Sequence, residues 1–177
     1  MNKLKIPVTA EDHIQGDMNA PVTLLEYGDY ECIYCGAAYY VIKQIQQHYG
    51  PHLRFVFRNF PLSEVHPHAE IAAEVAEFAG DYGRFWEMHD LLYENQDRLD
   101  MPLFIEAAQA LGLSLPELER DISIQKHYPK IRNDVLGGIR SGVNGTPTFF
   151  INEIRHNGSY DYESLINAIE QFSYNPP

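Results

Sequence analysis

The spacing of apolar residues changes along the chain, and each change marks a different kind of element. Residues 21–28 (PVTLLEYG) and 53–60 (LRFVFRNF) are β-branched and aromatic runs of strand length. The segment between them, 33–49, has helical length and stops at Tyr49, Gly50 and Pro51, so the three together predict a β-α-β unit. From Ser63 to about Gly142 the spacing is helical. Ile71, Val75 and Phe78 share one face there, followed by GRFWEMHDLLYEN and PLFIEAAQALG. Ser114, Leu115, Pro116 and Glu117 form a capping-box pattern that opens the next helix, and PKIRNDVLGGIRSG closes the helical run. Strand character returns at 146–152 (TPTFFIN), with a short partner around Ile154 and a last helix carrying Leu165, Ile169 and Phe172 on one face. This order predicts an α/β fold with a helical insertion rather than two tandem domains. Residues 1–62 and 143–177 make the two parts of the core, and 63–142 make the insertion.

Composition adds limits. A chain of 177 residues, 45% hydrophobic and 21% charged, can bury a core without help from metals or disulfides. Its net charge of -12 opposes the phosphate-tracking surface of a nucleic-acid binder and opposes anionic membranes equally. The first sixteen residues hold two lysines with no apolar run behind them, and no stretch approaches the roughly eighteen apolar residues of a span. These features predict a cytoplasmic protein with no membrane insertion. LGGIRSGVNG is rich in glycine, yet it lacks the preceding strand and the spacing of a phosphate loop, and no cofactor is predicted.

The candidate chemistry lies in GDYECIYCGAAYY, residues 28–40, which holds the only two cysteines. Cys32 falls where the first strand gives way to a helix, near unpaired backbone N–H groups and the positive end of the helix dipole, which favour thiolate over thiol. Cys35 lies one turn further on the same side, placed to attack a mixed disulfide formed at Cys32. Cys32 is therefore expected to be the exposed nucleophile and Cys35 the buried resolver. An inert buried pair and half of a zinc site are the other readings. Zinc would need His66 and His68 of the HPH stretch, which read instead as a helix start with Pro67 in its first turn. Ile33 and Tyr34 offer the sulfur no cation, while Asp29 and Glu31 bring negative charge close, which predicts a limited fall in the Cys32 pKa and a reductase or isomerase.

Strand alternation puts Val22, Leu24 and Glu26 on one face, so Glu26 is either a carboxyl buried at a raised pKa or one that reaches solvent at the strand end. GTPT at a strand start suits a cis X-Pro bond at Pro147, against the alternative of an ordinary trans proline at a strand edge. In the cis form Thr146 would offer its backbone to an extended substrate beside the cysteines. Phe85, Trp86 and Met88 read as core, with a groove near the cysteines as a second use. Arg54 and Arg58 read as stems reaching solvent at an edge.

EYGDYECIYCGAAY, VNGTPTFFIN, FRNFPLSEVHPHAEIAAE and FWEMHDLLYE together resemble the DsbA-like branch of the thioredoxin superfamily over residues 12–172. The likeness is closest to the thioredoxin-like domains appended to sodium/proton antiporters. It implies a thioredoxin-like fold with a helical insertion domain, a catalytic pair at Cys32 and Cys35, and Pro147 facing them. It also implies Glu26 as proton acceptor for Cys35. Thr146, Ile33 and Tyr34 are the residues expected to touch substrate. Protein or peptide thiols and disulfides would be the substrates, with a redox partner of unspecified identity. Glu153 stands where many relatives have glycine, which predicts a longer or differently shaped turn. The alternative function is a non-catalytic module that holds a partner by the GTPT edge and the insertion.

Overall fold

The structure is a computed structural model and describes residues 3–174. Among these residues, five strands form one sheet: β1 (His13–Gln15), β2 (Val22–Gly28), β3 (Leu53–Asn59), β4 (Thr148–Ile151) and β5 (Ile154–Arg155), in the order β1-β3-β2-β4-β5. Helix α1 (Ile33–Tyr49) crosses from β2 to its parallel neighbour β3, the β-α-β unit predicted from the spacing. Helices α2 (Ala69–Asp81), α3 (Phe85–Glu94), α4 (Met101–Ala110), α5 (Leu115–Ser123) and α6 (Tyr128–Arg140) are inserted between β3 and β4, and α7 (Tyr162–Tyr174) follows β5.

Alternation sorts the sheet's two faces. Val22, Leu24, Phe55, Phe57, Phe149 and Ile151 face one apolar core with Ile42 and Ile45 of α1 and Leu165 and Ile169 of α7. The insertion contributes Phe78, Met88, Leu92, Phe104 and Leu118 to that same core, so insertion and sheet fold around one continuous interior. Leu25, Tyr27, Val56 and Phe150 face a smaller cluster with Leu4, Phe60 and Val143.

Several local expectations give way to tertiary partners. Strand β1, antiparallel to β3, is three residues long with one Ile between His13 and Gln15, too short to make a pattern. The capping box before α5 does not form: the Ser114 side chain caps nothing, and Glu117 accepts a hydrogen bond from the Tyr82 hydroxyl at 3.0 Å. A side-chain cap occurs instead before α4, where Asp100 accepts from the Leu103 N–H at 3.0 Å. The turn at Glu153 is shorter than expected: Asn152 and Glu153 alone join β4 to β5, at φ of 44° and 70°. Asn152 is held there by accepting from the Thr23 N–H at 2.8 Å and donating its own N–H to the Thr23 carbonyl at 3.0 Å.

Of the two arginines read as reaching solvent at an edge, Arg54 is half-buried and Arg58 is buried. Arg54 donates to the Thr23 hydroxyl at 2.8 Å and the Met18 carbonyl at 2.9 Å. Arg58 is buried, and its five N–H groups all find acceptors: both oxygens of Asp12 (2.7 and 2.9 Å), the Tyr27 hydroxyl (3.0 Å), and the carbonyls of Ile6 (2.9 Å) and Pro7 (3.0 Å). The guanidinium thus ties the N-terminal segment to the sheet. Burial by itself would raise the Asp12 pKa, but the hydrogen bond and charge of Arg58 hold it below the ordinary value. Asp12→Ala, which strands a buried cation, is expected to lower stability by about 3 kcal/mol in urea denaturation at pH 7, and Asp12→Ala with Arg58→Met to recover most of the loss.

Candidate active site

Cys32 is the N-cap residue of α1, with extended backbone (φ -72°, ψ 117°). Its N–H donates to the Asp29 carbonyl at 3.2 Å and its carbonyl accepts from Gly36 at 3.0 Å, the first turn of the helix. Both cysteines are free thiols. Cys35 is fully buried, and Cys32 is only 3% exposed, so the expected open access to the nucleophile is not found. Ile33 and Tyr34, 71% and 59% exposed, stand out from the surface while the sulfur lies beneath them. Across from it is the approach to β4: in its thiol form Cys32 donates to the Thr146 carbonyl at 3.4 Å, a bond the thiolate cannot make, and the Thr146–Pro147 bond is cis. The Thr146 hydroxyl is buried beside the Cys32 sulfur and lowers its pKa.

Charge is divided unequally in this pocket. The Cys32 pKa is pulled down to about 5, first by a hydrogen bond from the Cys35 thiol and then by Thr146 and the N–H groups of Cys35 and Tyr34, all against the burial that would raise it. Burial pushes Cys35 well above the ordinary thiol value, helped by the bond it gives Cys32 and by Glu26. Glu26 is 2% exposed, on the same face as Val22 and Leu24, between Phe57 of β3 and Phe149 of β4. Solvent at the strand end is therefore not its environment. Burial raises its pKa to about 8, the charge of Cys32 adds to this, and a hydrogen bond from Cys35 opposes it. One of its oxygens has no partner. At neutral pH the arrangement holds one negative charge, on Cys32, above a neutral thiol and a mostly protonated carboxyl.

Asp29 and Glu31 do not act as expected on the nucleophile. Asp29 is buried and accepts from the N–H groups of Glu31 and Leu62, both at 2.8 Å, and pairs with Nδ1 of His66 at 2.8 Å. Glu31 pairs with Nδ1 of His68 at 2.9 Å and accepts from its N–H at 2.6 Å. Each acid is matched by an imidazole and by backbone, and neither is among the groups that set the Cys32 pKa. His66 is raised: burial works against this, and Asp29, then Cys32 and Glu31, overcome it. His68 is the N-cap of α2, which begins at Ala69, so Pro67 precedes the helix instead of occupying its first turn. The Nδ1 atoms of both histidines are engaged by Asp29 and Glu31, and among the described residues neither is grouped with the cysteines at metal-ligand spacing. Elsewhere among the described residues, Asp81, Asp121 and His127 are spaced for a metal, but Lys126 Nζ lies 2.7 Å from Asp81 and 2.9 Å from Asp121, and already supplies the positive charge.

Two contributors from the insertion carry no sequence signal. The Tyr93 hydroxyl donates to the Asp29 carbonyl at 3.4 Å, and Gln96 Nε2 donates to the carbonyls of Tyr30 (2.7 Å) and Cys32 (2.9 Å). A glutamine in YENQDR belongs to no motif; its only trace is the small residue at Gly36, where a Cβ would meet its side chain. Phe85 and Met88 are core and Trp86 packs against it; Phe85 and Trp86 turn toward β1, where the Phe85 ring stacks on His13 at 3.4 Å and Trp86 Nε1 donates to the Ile14 carbonyl at 3.2 Å.

Known proteins share this sequence and architecture. A sequence model for the family described as Thioredoxin matches residues 8–171. The Na(+)/H(+) antiporter NhaA 1 of Salinispora arenicola is 44% identical over 167 residues, which are 94% of this chain and 26% of that protein. The Na(+)/H(+) antiporter NhaA 3 of Salinispora tropica is 42% identical, with the same coverage. The chain thus spans about a quarter of the length of the curated relatives it matches. Among solved structures, a thioredoxin-like oxidoreductase from Silicibacter pomeroyi has a TM-score of 0.83 at 23% identity, over 94% of this chain and 95% of that one. Oxidised BdbD from Bacillus subtilis has a TM-score of 0.81 at 22% identity, over 93% and 94%. Both share the fold. Among the described residues no helix is long and apolar enough to cross a membrane.

The divided charge makes stability depend on pH. Between 4.5 and about 8 the folded chain keeps a proton on Glu26 that the unfolded chain has released, so this carboxyl weakens the fold progressively as pH rises. Cys32 acts in the opposite sense: its contribution is fully present above 9 and is lost as pH falls toward about 5. Glu26→Gln removes the first effect. The stability of the reduced variant relative to the reduced parent is expected to rise from pH 5 to pH 8 in urea denaturation; a constant difference would show that Glu26 carries its charge in the fold.

Proposed function

The chain belongs to the thioredoxin family, and on that premise we propose that Cys32 and Cys35 make it a thiol-disulfide oxidoreductase acting on protein or peptide thiols. The observation that carries this reading is the Cys32 sulfur, stabilised as thiolate at the start of α1 and hydrogen-bonded by a neutral, buried Cys35. A pair kept only for packing has no need of such a division.

The stabilised thiolate also supports a direction. A disulfide is strongly oxidising when its reduced form is stabilised, chiefly as thiolate. The reductive or isomerising direction expected from Asp29 and Glu31, and from the lack of a cation at Ile33 and Tyr34, required a limited fall in the Cys32 pKa; both acids are instead engaged by histidine rings and backbone N–H groups, and neither is among the groups acting on Cys32. We therefore assign the oxidising direction. A substrate thiolate attacks Cys32 of the Cys32–Cys35 disulfide, forming a mixed disulfide and releasing Cys35 as thiolate. Cys35 takes the proton that Glu26 holds. A second substrate thiolate then attacks the substrate sulfur of the mixed disulfide, and Cys32 leaves as thiolate. The substrate has lost two electrons and two protons to form its disulfide: the dithiol has gained the electrons, one proton replaces through solvent the one Glu26 gave to Cys35, and the other stays in solvent. In this reading the backbone at Thr146 and Pro147 pairs with the extended substrate, and Ile33 and Tyr34 touch its side chains.

Equilibration with glutathione buffers tests the direction. The Cys32–Cys35 potential is expected nearer the roughly -120 mV of a strong oxidant than the roughly -270 mV of thioredoxin. A value at the reducing end would reverse the assignment. In the Cys35→Ala variant, exchange should stop at a covalent adduct on Cys32 that mass spectrometry reads directly. Failure of that adduct to form with any disulfide-bearing peptide would favour a module that binds without chemistry.

A further inference from the structure

Three carbonyls precede or open α1 around the nucleophile, at Asp29, Tyr30 and Cys32, and the insertion supplies a donor to each. Tyr93, on α3, takes Asp29. Gln96 takes the other two with the two protons of one amide. The Cys32 carbonyl already accepts from Gly36, so Gln96 fills its second lone pair, while the Tyr30 carbonyl lies outside the helical ladder. Gln96 opens the short 3-10 turn Gln96–Arg98 that follows α3, and that turn is itself fixed: the Arg98 N–H donates to the Asn95 carbonyl at 3.1 Å and the Asn95 side chain donates to the Leu91 carbonyl at 2.9 Å. The amide lies flat against the helix start because residue 36 has no side chain. A Cβ there would come 2.2 Å from Gln96 Oε1 and 2.9 Å from its Cδ.

We propose that Gln96 is a positioning residue: it holds the Tyr30 and Cys32 carbonyls so that the Cys32 sulfur stays seated against the start of α1, and it thereby ties the reactivity of this thiol to the placement of the helical insertion. Two effects act together. The amide fixes the loop whose geometry points the N–H groups of Tyr34 and Cys35 at the sulfur. It also withdraws the partial negative charge of two carbonyls that lie beside a developing thiolate. Tyr93 reinforces the same loop from the preceding helix.

The inference gives the oxidoreductase reading a specific control point and rests on it for its biological meaning, but its test is separate. Thiolate absorbance at 240 nm is followed against pH for the reduced parent chain, Gln96→Met, Gly36→Ala, the double variant, and Leu118→Ala. The last shortens a buried side chain of the insertion core and lowers stability without touching the loop. Gln96→Met keeps the bulk and loses both donors, so the ionisation constant of Cys32 is expected to fall about tenfold, equivalent to about 1.4 kcal/mol. Gly36→Ala, which pushes the amide away, should move it in the same direction. The double variant should move it no further than the larger single change, because both substitutions remove one contact. Leu118→Ala should titrate as the parent does. Titration of Gln96→Met as the parent, additive shifts in the double variant, or an equal shift in Leu118→Ala would each overturn the clamp. Failure of the oxidoreductase reading registers elsewhere, as a parent that titrates as described yet exchanges no disulfide.

Discussion

The hydrogen bond from the Cys35 thiol to the Cys32 sulfur is the interaction on which the site depends. It is the largest influence holding Cys32 ionised, and it works only while Cys35 keeps its proton. Burial guarantees that. Cys35 and Glu26 lie in the main core, where a second negative charge near Cys32 would be costly, so both are pushed toward their neutral forms. One charge, one donor and one protonated carboxyl follow from placing three acids within a small low-dielectric volume, where the hydrogen bonds converging on Cys32 decide which ionises first.

The fold is arranged around that volume. Strand β2 delivers Glu26 from below and ends at the helix start, so strand and helix dipole address the same pocket from two sides. The start of β4 closes the front with the Thr146 carbonyl. The insertion closes the side with Tyr93 and Gln96, whose donors hold the loop carbonyls. Insertion and sheet share one apolar core, which packs this side wall against the sheet. Acidic neighbours that would have raised the thiol instead find imidazole and backbone partners at the loop before α2.

Much of this was legible in the sequence, and the parts that were not share a reason. The β-α-β unit, the helical insertion and the dithiol at a helix start all rest on local periodicity or spacing, which a single chain displays directly. Glu26 was legible because an acid broke an apolar alternation. By contrast, β1 offers three residues and no pattern, and the capping box before α5 lost Glu117 to a tyrosine 35 residues away. The same holds for Arg58, whose composition suggests a solvent-seeking stem and whose burial follows from Asp12, 46 residues distant. Asp29 and Glu31 were misjudged for the same cause: their charge is visible in sequence, but His66 and His68, each 37 residues on, are needed to read its effect. Gln96 lies 64 residues from the carbonyl of Cys32 and announces itself only through a glycine.

The central claim is that the two sulfurs, three residues apart, ionise far from each other. Carbon-13 NMR of the reduced protein labelled at the cysteine β-carbons measures this directly, since each resonance moves as its own sulfur loses a proton. The account predicts a Cys32 midpoint near 5 and a Cys35 resonance that stays in its protonated position through pH 9. A Cys32 midpoint at the ordinary thiol value of about 8.5, or a Cys35 that ionises first, would contradict it.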